Sequence, residues 1–309
     1  MEELEDVRVC NLCSAGAFSD EFCVGRWSLK KCAGCGLVFR SPRYTSEFLE
    51  HFYSVQYYET ARSYLGSQVA QPGPDEVRSA RRLLRRVHAV GRKPSVLEIG
   101  CGAGRTVDAF ARAGWDALGI DISQSAINAG KRRGLNLRES SPERLPPGQY
   151  DAIVALHVLE HLHDPRVFLR TCRRNLRPKG LLLIEVPDYG SKRAKSFRGR
   201  WPHLYPDIHL YQFTEETLTA LMADEGFCSM RVSRRGGMAF LEAPSPAATP
   251  GADSLSGPQS LRADVCKLLF SCRRLLYWSP FLRQVARWAI WDFLGYGEFL
   301  RVVAINGEG

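Results

Sequence analysis

The sequence of 309 residues lacks any uninterrupted apolar run of the roughly 18 residues that a membrane-spanning helix needs. Charged side chains interrupt its most apolar stretch, near the C-terminus, at Arg283, Arg287, Asp292, Glu298 and Arg301. The first residues are acidic, so the chain also lacks the positive start and apolar segment of a secretory signal. These absences predict a cytoplasmic protein.

Apolar residues make up 45% of the chain and charged residues 24%, which excludes disorder, collagen and coiled coil as descriptions of the whole chain. The 10 cysteines do not indicate a disulfide scaffold, because such scaffolds are short secreted domains. The net charge of +9 favours partners that carry phosphate or present an anionic surface.

Four of the cysteines form two C-x-x-C pairs, Cys10 with Cys13 and Cys32 with Cys35. Their spacing is typical of a four-thiolate zinc site. Four thiolates complete a tetrahedron and leave no open coordination position, so this zinc ion would be structural. We therefore predict a zinc-ribbon-like module over residues 1–44.

From Ser95 onward, short apolar strands alternate with helical segments, which predicts an α/β fold with a doubly wound parallel sheet. The first strand ends in a glycine-rich turn that lacks the last glycine of the dinucleotide pattern, because Arg105 stands there. Gly100, Gly102 and Gly104 remain, and they allow close approach of a ligand to the backbone before a helix N-terminus. Asp121, at the end of the second strand, is suited to accept hydrogen bonds from a ribose diol.

These features resemble the class I S-adenosylmethionine-dependent methyltransferases, and residues 35–42 are similar to a subgroup with a zinc-ribbon-like start. The motifs that carry the resemblance are V-L-E-I-G-C-G-A-G at 96–104, G-I-D-I-S at 119–123, Y-D-A-I-V at 150–154 and H-V-L-E-H-L-H-D-P at 157–165. The resemblance implies a Rossmann-like, mostly parallel sheet of seven strands, closed by an antiparallel pair near the C-terminus.

By the same resemblance, the three glycines hold the methionine part of S-adenosylmethionine, Glu98 lies near its amino group, and Asp121 holds the ribose. Ile122 would pack on the adenine. Ser141 follows the third strand, where the family often has an acidic residue. The predicted cofactor-binding residues are Glu98, Gly100, Cys101, Gly102, Gly104, Asp121, Ile122, Ser141 and His157.

Histidines mark the predicted acceptor side: His157 and His161 follow the fourth strand, and His209 comes later. They are the predicted catalytic residues, and three interpretations stay open. In the first, a histidine acts as general base. In the second, a divalent metal is bound by His157, Glu160, His161 and His209, as a similar E-x-x-E-H cluster binds one in some small-RNA methyltransferases. In the third, the cluster is structural.

The segment 190–202 carries five cations together with Phe197 and Trp201. By the resemblance it belongs to the acceptor side, so it favours a phosphorylated or nucleotide-linked acceptor, or a nucleic-acid backbone. The alternative is a solvated loop without a ligand.

We predict four regions: the module at 1–44, an aromatic and basic helical connector at 45–94, the methyltransferase core at 95–242 and 295–309, and an insertion at 243–294. The insertion would combine a disordered linker with amphipathic helices. Its part 261–294 would lie on a membrane surface or form an oligomer interface.

The leading functional hypothesis is methyl transfer to a small-molecule, sugar or lipid-linked acceptor. The alternatives are an RNA methyltransferase that grips nucleic acid through its zinc module, and a non-catalytic scaffold that docks on membranes.

Overall fold

The computed structural model describes residues 4–56, 71–87, 89, 91–235 and 297–307. Thirteen strands are found there: β1 (Leu4–Glu5), β2 (Phe18–Val24), β3 (Trp27–Cys32), β4 (Val38–Arg40), β5 (Arg43–Tyr44), β6 (Ser95–Ile99), β7 (Asp116–Asp121), β8 (Leu137–Glu139), β9 (Tyr150–Leu156), β10 (Leu176–Pro187), β11 (Tyr211–Gln212), β12 (Phe227–Arg235) and β13 (Phe299–Asn306). The predicted insertion 243–294, with its amphipathic part 261–294, lies outside the described residues.

The helices alternate with the strands from β6 onward. The α-helices of the described residues are α1 (Ser46–His51), α2 (Pro74–Leu84), α3 (Arg105–Arg112), α4 (Gln124–Lys131), α5 (Pro165–Asn175), α6 (Lys192–Phe197) and α7 (Glu215–Asp224). A π-helix (Phe52–Gln56) and two 3₁₀ turns (Leu159–His161 and Arg198–Arg200) complete the set. None of the described helices combines the length and the apolar character that crossing a bilayer requires.

The central sheet has seven strands in the order β12-β13-β10-β9-β6-β7-β8. Neighbouring strands pair in parallel along the run β10-β9-β6-β7-β8. Strand β13 pairs antiparallel with both β10 and β12. Strand β9 is buried almost throughout, as expected for a strand covered on both faces. The predicted fold class is therefore confirmed, and the carboxyl ends of β6, β7 and β9 meet at one edge.

Short polar side chains fix where the core helices begin. The Ser123 hydroxyl accepts a hydrogen bond from the Ala126 amide at the start of α4. The Asp164 carboxylate accepts from two amides at the start of α5, whose first residue is Pro165. These caps help to set the angle at which each chain segment leaves the strand edge.

The N-terminal module is not a separate body. Strand β4 pairs with β11, so the four-stranded sheet β11-β4-β3-β2 contains one strand that the central domain contributes from between β10 and β12. Apolar side chains of the module, such as Trp27 and Phe39, belong to the same buried cluster as Leu210 and Phe213. The cysteine module and the central domain therefore share one hydrophobic core.

Candidate active site

The glycine turn after β6 has the geometry that only glycine adopts easily. Gly100, Gly102 and Gly104 have φ angles of 70°, 52° and 81°. The Gly102 amide donates a hydrogen bond of 2.8 Å to Asp121 Oδ2, and the Ser123 amide donates one of 2.9 Å to Oδ1. Asp121 thus fastens the turn to the end of the neighbouring strand.

Two carboxyl groups of this edge are withdrawn from water to different degrees: Glu98 is buried and Asp121 is half-buried. Burial raises the pKa of Asp121, and the amides of Ser123, Gly102 and Ile122 oppose the shift. Burial also raises the pKa of Glu98 to about 8, against hydrogen bonds from Thr106 and Val107. Glu98 Oε2 has no hydrogen-bond partner among the described residues. A buried acceptor without a donor suits a ligand that brings a cationic amino group.

The other predicted cofactor residues surround the same edge. The Cys101 amide donates to the Ile120 carbonyl, and the Cys101 side chain is buried, so only its main chain is available to a ligand. Ile122 is half-buried beside Asp121. Ser141 is also half-buried, and it adjoins Ser140, whose amide donates to the Asp121 carbonyl. These residues are compatible with a nucleoside cofactor, and their individual roles stay predictions.

The histidine-bearing segment lies directly against the glycine turn. A Cβ added to Gly100 would come within 2.5 Å of Val158 Cγ2, so the turn after β9 and the turn after β6 are in contact. His157 has a left-handed φ of 56°, and its amide donates to the Glu185 carbonyl. This places residues 157–161 next to the predicted cofactor site.

His157 lies between two carboxylates. Its Nδ1 is 3.4 Å from Glu160 Oε1, and its Nε2 is 3.6 Å from Glu185 Oε1. Burial lowers the pKa of His157, but the two carboxylates outweigh it and raise the pKa to about 10. A protonated imidazole cannot accept a proton at neutral pH, so this environment disfavours the base role that we predicted for His157.

Glu160, His161 and His209 form a second, deeper cluster, in which each residue has a ligand atom within 4.8 Å of the others. Glu160 is 1% exposed, and neither of its oxygens accepts a hydrogen bond within the described part of the chain. Burial raises the pKa of Glu160, but the interaction with protonated His157 outweighs it, so the pKa is lowered. The carboxylate is therefore ionised and buried.

The two imidazoles of this cluster are neutral. Burial lowers the pKa of His161, and burial together with His161 lowers the pKa of His209 to about 3. His161 Nδ1 lies 3.1 Å from the Ile208 carbonyl, so it carries the proton and Nε2 keeps its lone pair. His209 Nδ1 is buried without a partner among the described residues. The cluster thus presents three residues that can accept a proton or a hydrogen bond: Glu160, His161 and His209.

Tyr53 is a member of this site that the sequence did not single out. It belongs to the π-helix after α1, and its hydroxyl lies 2.7 Å from His161 Nδ1. The same hydroxyl donates to the Ile208 carbonyl at 3.4 Å. The density of aromatic residues in the connector was the available signal, but it did not indicate which ring reaches the histidine.

The four predicted zinc ligands come together at the other end of the module. The sulfur atoms of Cys10, Cys13, Cys32 and Cys35 lie within 4.8 Å of one another. Burial raises the pKa of Cys32, but hydrogen bonds from the amides of Cys35 and Gly34 and from Cys13 outweigh it and lower the pKa to about 7. A Cβ at Gly34 would lie 3.1 Å from Cys13 Sγ. The donor set and the tight turns suit a closed tetrahedral metal site.

The cationic segment after β10 is folded rather than a loose loop. It contains α6 and a 3₁₀ turn, and Trp201 is buried at its end. Arg193 pairs with Glu298 at 2.9 Å, and the Arg198 guanidinium lies over the Phe22 ring. Lys195 and Arg200 are exposed on the same segment.

Comparison with known proteins gives a consistent result. The profile of a family described as a methyltransferase domain matches residues 75–229, half of the chain. A ubiquinone biosynthesis O-methyltransferase of Bradyrhizobium diazoefficiens is 36% identical over 98 residues, covering 29% of this chain and 39% of the relative. A Mycobacterium tuberculosis protein named "Probable S-adenosylmethionine-dependent methyltransferase" is 32% identical over 139 residues, covering 43% of this chain and 48% of the relative.

The chain spans less than half the length of these curated relatives. Among solved structures, phosphoethanolamine N-methyltransferase 2 of Haemonchus contortus, in complex with S-adenosylmethionine, superimposes with a TM-score of 0.51 at 15% identity. The superposition covers 88% of this chain and 63% of that chain, and at this identity it supports the fold alone.

The pKa of Glu98 makes a prediction about stability. Below pH 4.5 the carboxyl is protonated in both states; between pH 4.5 and about 8 the unfolded chain loses this proton first. The free energy of unfolding should therefore fall as the pH rises through this window. Glu98→Gln should flatten that fall and be the more stable protein at pH 8, as measured by urea unfolding at several pH values. The exposed Glu139→Gln is the control, and equal slopes for Glu98→Gln and wild type would contradict the prediction.

Proposed function

The chain belongs to the methyltransferase-domain family and is an S-adenosylmethionine-dependent methyltransferase, and we propose that it methylates a hydroxyl group of a small, anionic acceptor. The observation that supports the acceptor chemistry best is the contact of Val158 with the glycine turn. This contact brings the cluster of Glu160, His161 and His209 next to the predicted cofactor site. The similarity to ubiquinone O-methyltransferases in the core region also favours an oxygen acceptor.

S-adenosylmethionine supplies an activated methyl group with its own leaving group, so the protein's main contribution is alignment. Gly100, Gly102 and Gly104 keep the main chain open toward the ligand, and Asp121 holds the turn in that form. Glu98 offers its unpaired oxygen to the amino group of the methionine part. His157 stays protonated between the carboxylates of Glu160 and Glu185, which balance its charge.

A hydroxyl acceptor must lose its proton during methyl transfer. The cluster of Glu160, His161 and His209 is suited to assist, because it offers an ionised carboxylate and two neutral imidazoles, and neither carboxylate oxygen accepts a hydrogen bond from the described residues. Exposed Lys195 and Arg200 follow the carboxyl end of β10, and the net charge is +9, so an anionic acceptor is favoured.

The test is transfer of an isotope-labelled methyl group to the small molecules and to the RNA of a cell extract, each analysed by mass spectrometry. We expect label in a small anionic molecule, bound through oxygen. Glu160→Gln should reduce the transfer rate by about 10² to 10⁴-fold and leave the affinity for S-adenosylmethionine unchanged. His51→Gln, at an exposed histidine of α1, should transfer at the wild-type rate. Label found only in RNA, or in neither fraction, would contradict the proposal.

The same cluster is suited to a divalent cation. One carboxylate and two imidazoles are ligands that Mn²⁺, Fe²⁺ and Zn²⁺ accept. Protonated His157, 3.4 Å from Oε1, already gives Glu160 one positive neighbour, and neither carboxylate oxygen accepts a hydrogen bond from the described residues. His157 is a less suitable ligand than the sequence indicated, because its raised pKa keeps it protonated. We therefore propose that Glu160, His161 and His209 hold one divalent ion, which would supply Lewis-acid chemistry that eases the loss of the acceptor's proton.

Titration with Mn²⁺, followed by electron paramagnetic resonance, measures this directly. Mn²⁺ prefers oxygen and nitrogen ligands to thiolates, so the cysteine site does not compete for it. Wild type and His51→Gln should bind one ion per chain, and Glu160→Gln and His209→Gln should lose that ion. Equal Mn²⁺ binding by wild type and Glu160→Gln, or no bound ion in wild type, would count against the cation.

We further propose that Cys10, Cys13, Cys32 and Cys35 bind one structural Zn²⁺ ion. The four sulfur atoms lie within 4.8 Å of one another, which is the spacing that a closed four-thiolate site needs. Purified wild-type protein should contain one zinc per chain by elemental analysis, and Cys32→Ser should contain none. The exposed Cys23→Ser should keep the metal. Zinc retained in Cys32→Ser would show that these cysteines are not its ligands.

A further inference from the structure

We infer that Arg40 is a positioning residue of the acceptor site, through which the cysteine module holds His209 in place. The inference rests on the proposed role of His209, and it gives the module a function inside the active site. Arg40 itself touches neither the cofactor edge nor the cluster of Glu160, His161 and His209. It acts on the segment that carries His209.

Arg40 is the last residue of β4, and β4 is connected to Cys35 by a short stretch of the same module. The Arg40 side chain is 0% exposed. Its NH1 donates hydrogen bonds of 2.6 Å to the Pro206 carbonyl and 2.7 Å to the Asp207 carbonyl. Its own amide donates to the Leu210 carbonyl at 2.9 Å. One residue of the module therefore holds the chain on both sides of His209.

The surroundings fix the Arg40 guanidinium. Its central carbon lies 4.2 Å from the centre of the Trp27 ring and 4.7 Å from that of Tyr44. The indole nitrogen of Trp27 donates to the Asp207 carboxylate, so the ring that stacks on Arg40 also holds the same segment. Planar guanidinium groups suit stacking between aromatic rings, and a lysine would not reproduce this arrangement.

The other side of the His209 segment is held by the central domain. The Leu210 amide donates to the Glu160 carbonyl at 2.8 Å. His209 thus lies between a contact to the cluster and a contact to the module. Without the module contact, residues 206–210 would keep only the domain side, and the orientation of the His209 ring would be less defined.

A buried arginine is costly unless its charge is used. Two of its nitrogens, Nε and NH2, have no hydrogen-bond partner among the described residues. The burial of Arg40 is therefore not explained by a full set of hydrogen bonds to its guanidinium group. Its two NH1 bonds converge on consecutive carbonyls of one turn, two residues before His209. That convergence is what a positioning role requires. Displacement of a reacting group by about 1 Å can cost about 10²-fold in rate.

The experiment compares Arg40→Met and Arg40→Lys with Arg26→Met in the full, zinc-loaded chain. Arg26 is the matched control, because its guanidinium stacks on the same Trp27 ring at 4.4 Å while the residue is exposed. Hydrogen exchange measured by mass spectrometry should become about ten-fold or more faster in peptides covering 204–212 of both Arg40 variants. Peptides of β9 should exchange at the wild-type rate.

Four further readouts separate positioning from general damage. The imidazole nitrogen signals of His209 in NMR spectra should shift or broaden in both Arg40 variants, while zinc content and affinity for S-adenosylmethionine stay at wild-type values. The methyl-transfer rate should then fall about ten-fold or more. Arg26→Met should leave all four quantities unchanged.

Unchanged exchange at 204–212 and an unchanged His209 signal in the Arg40→Lys variant would overturn the inference, whatever the transfer rate. If Arg40→Met does not fold, Arg40→Lys carries the test, because its ammonium preserves the buried charge but cannot stack as a planar group. If the protein does not carry out the proposed methyl transfer, hydrogen exchange and the NMR signals of His209 still test the role of Arg40. A failure of the proposed function can therefore be told apart from a failure of this inference.

Discussion

The structure depends first on the carboxylate of Asp121, which accepts the Gly102 amide with one oxygen and the Ser123 amide with the other. This pair of hydrogen bonds connects two turns that leave adjacent parallel strands, and it keeps the glycine turn in a left-handed form that leaves its main chain open. Asp121 is half-buried, so water competes less for its carboxylate than at an exposed site, and this strengthens both bonds. Everything else in the proposed site is arranged around this edge, including Glu98 beneath the turn and Val158 against Gly100.

Charge divides the site into two parts with different chemistry. Near the glycine turn, His157 is a cation between the carboxylates of Glu160 and Glu185, and Arg301 pairs with Glu185 on its other side. One layer deeper, His161 and His209 are neutral and share the buried Glu160. The first part suits electrostatic stabilisation of bound groups, and the second suits coordination or proton acceptance. Histidine therefore occurs in both parts, and the neighbouring carboxylates and the depth of burial determine whether its imidazole is protonated or neutral.

Much of this arrangement could be predicted from the sequence, because the relevant signals are local. The apolar run of β9, the glycine turn and the strand-end Asp121 each occupy a few consecutive residues, and the fold class followed from their order. The start of β10 at Leu176 was harder to predict, because its continuous apolar run begins only at Leu181, after an irregular ladder between the two residues. The contacts of Arg40 with Pro206 and of Tyr53 with His161 join residues far apart in the chain, and no local pattern marks them. The raised pKa of His157 likewise depends on Glu185, from a different strand.

The most direct measurement of the central claim is a crystal structure of the full chain grown with S-adenosylhomocysteine. The account predicts density for the nucleoside at the edge formed by Gly100–Gly104 and Asp121, with the ribose hydroxyls on the Asp121 carboxylate and the amino group near Glu98. Density for the compound elsewhere on the chain, with this edge empty at saturating concentration, would contradict the account.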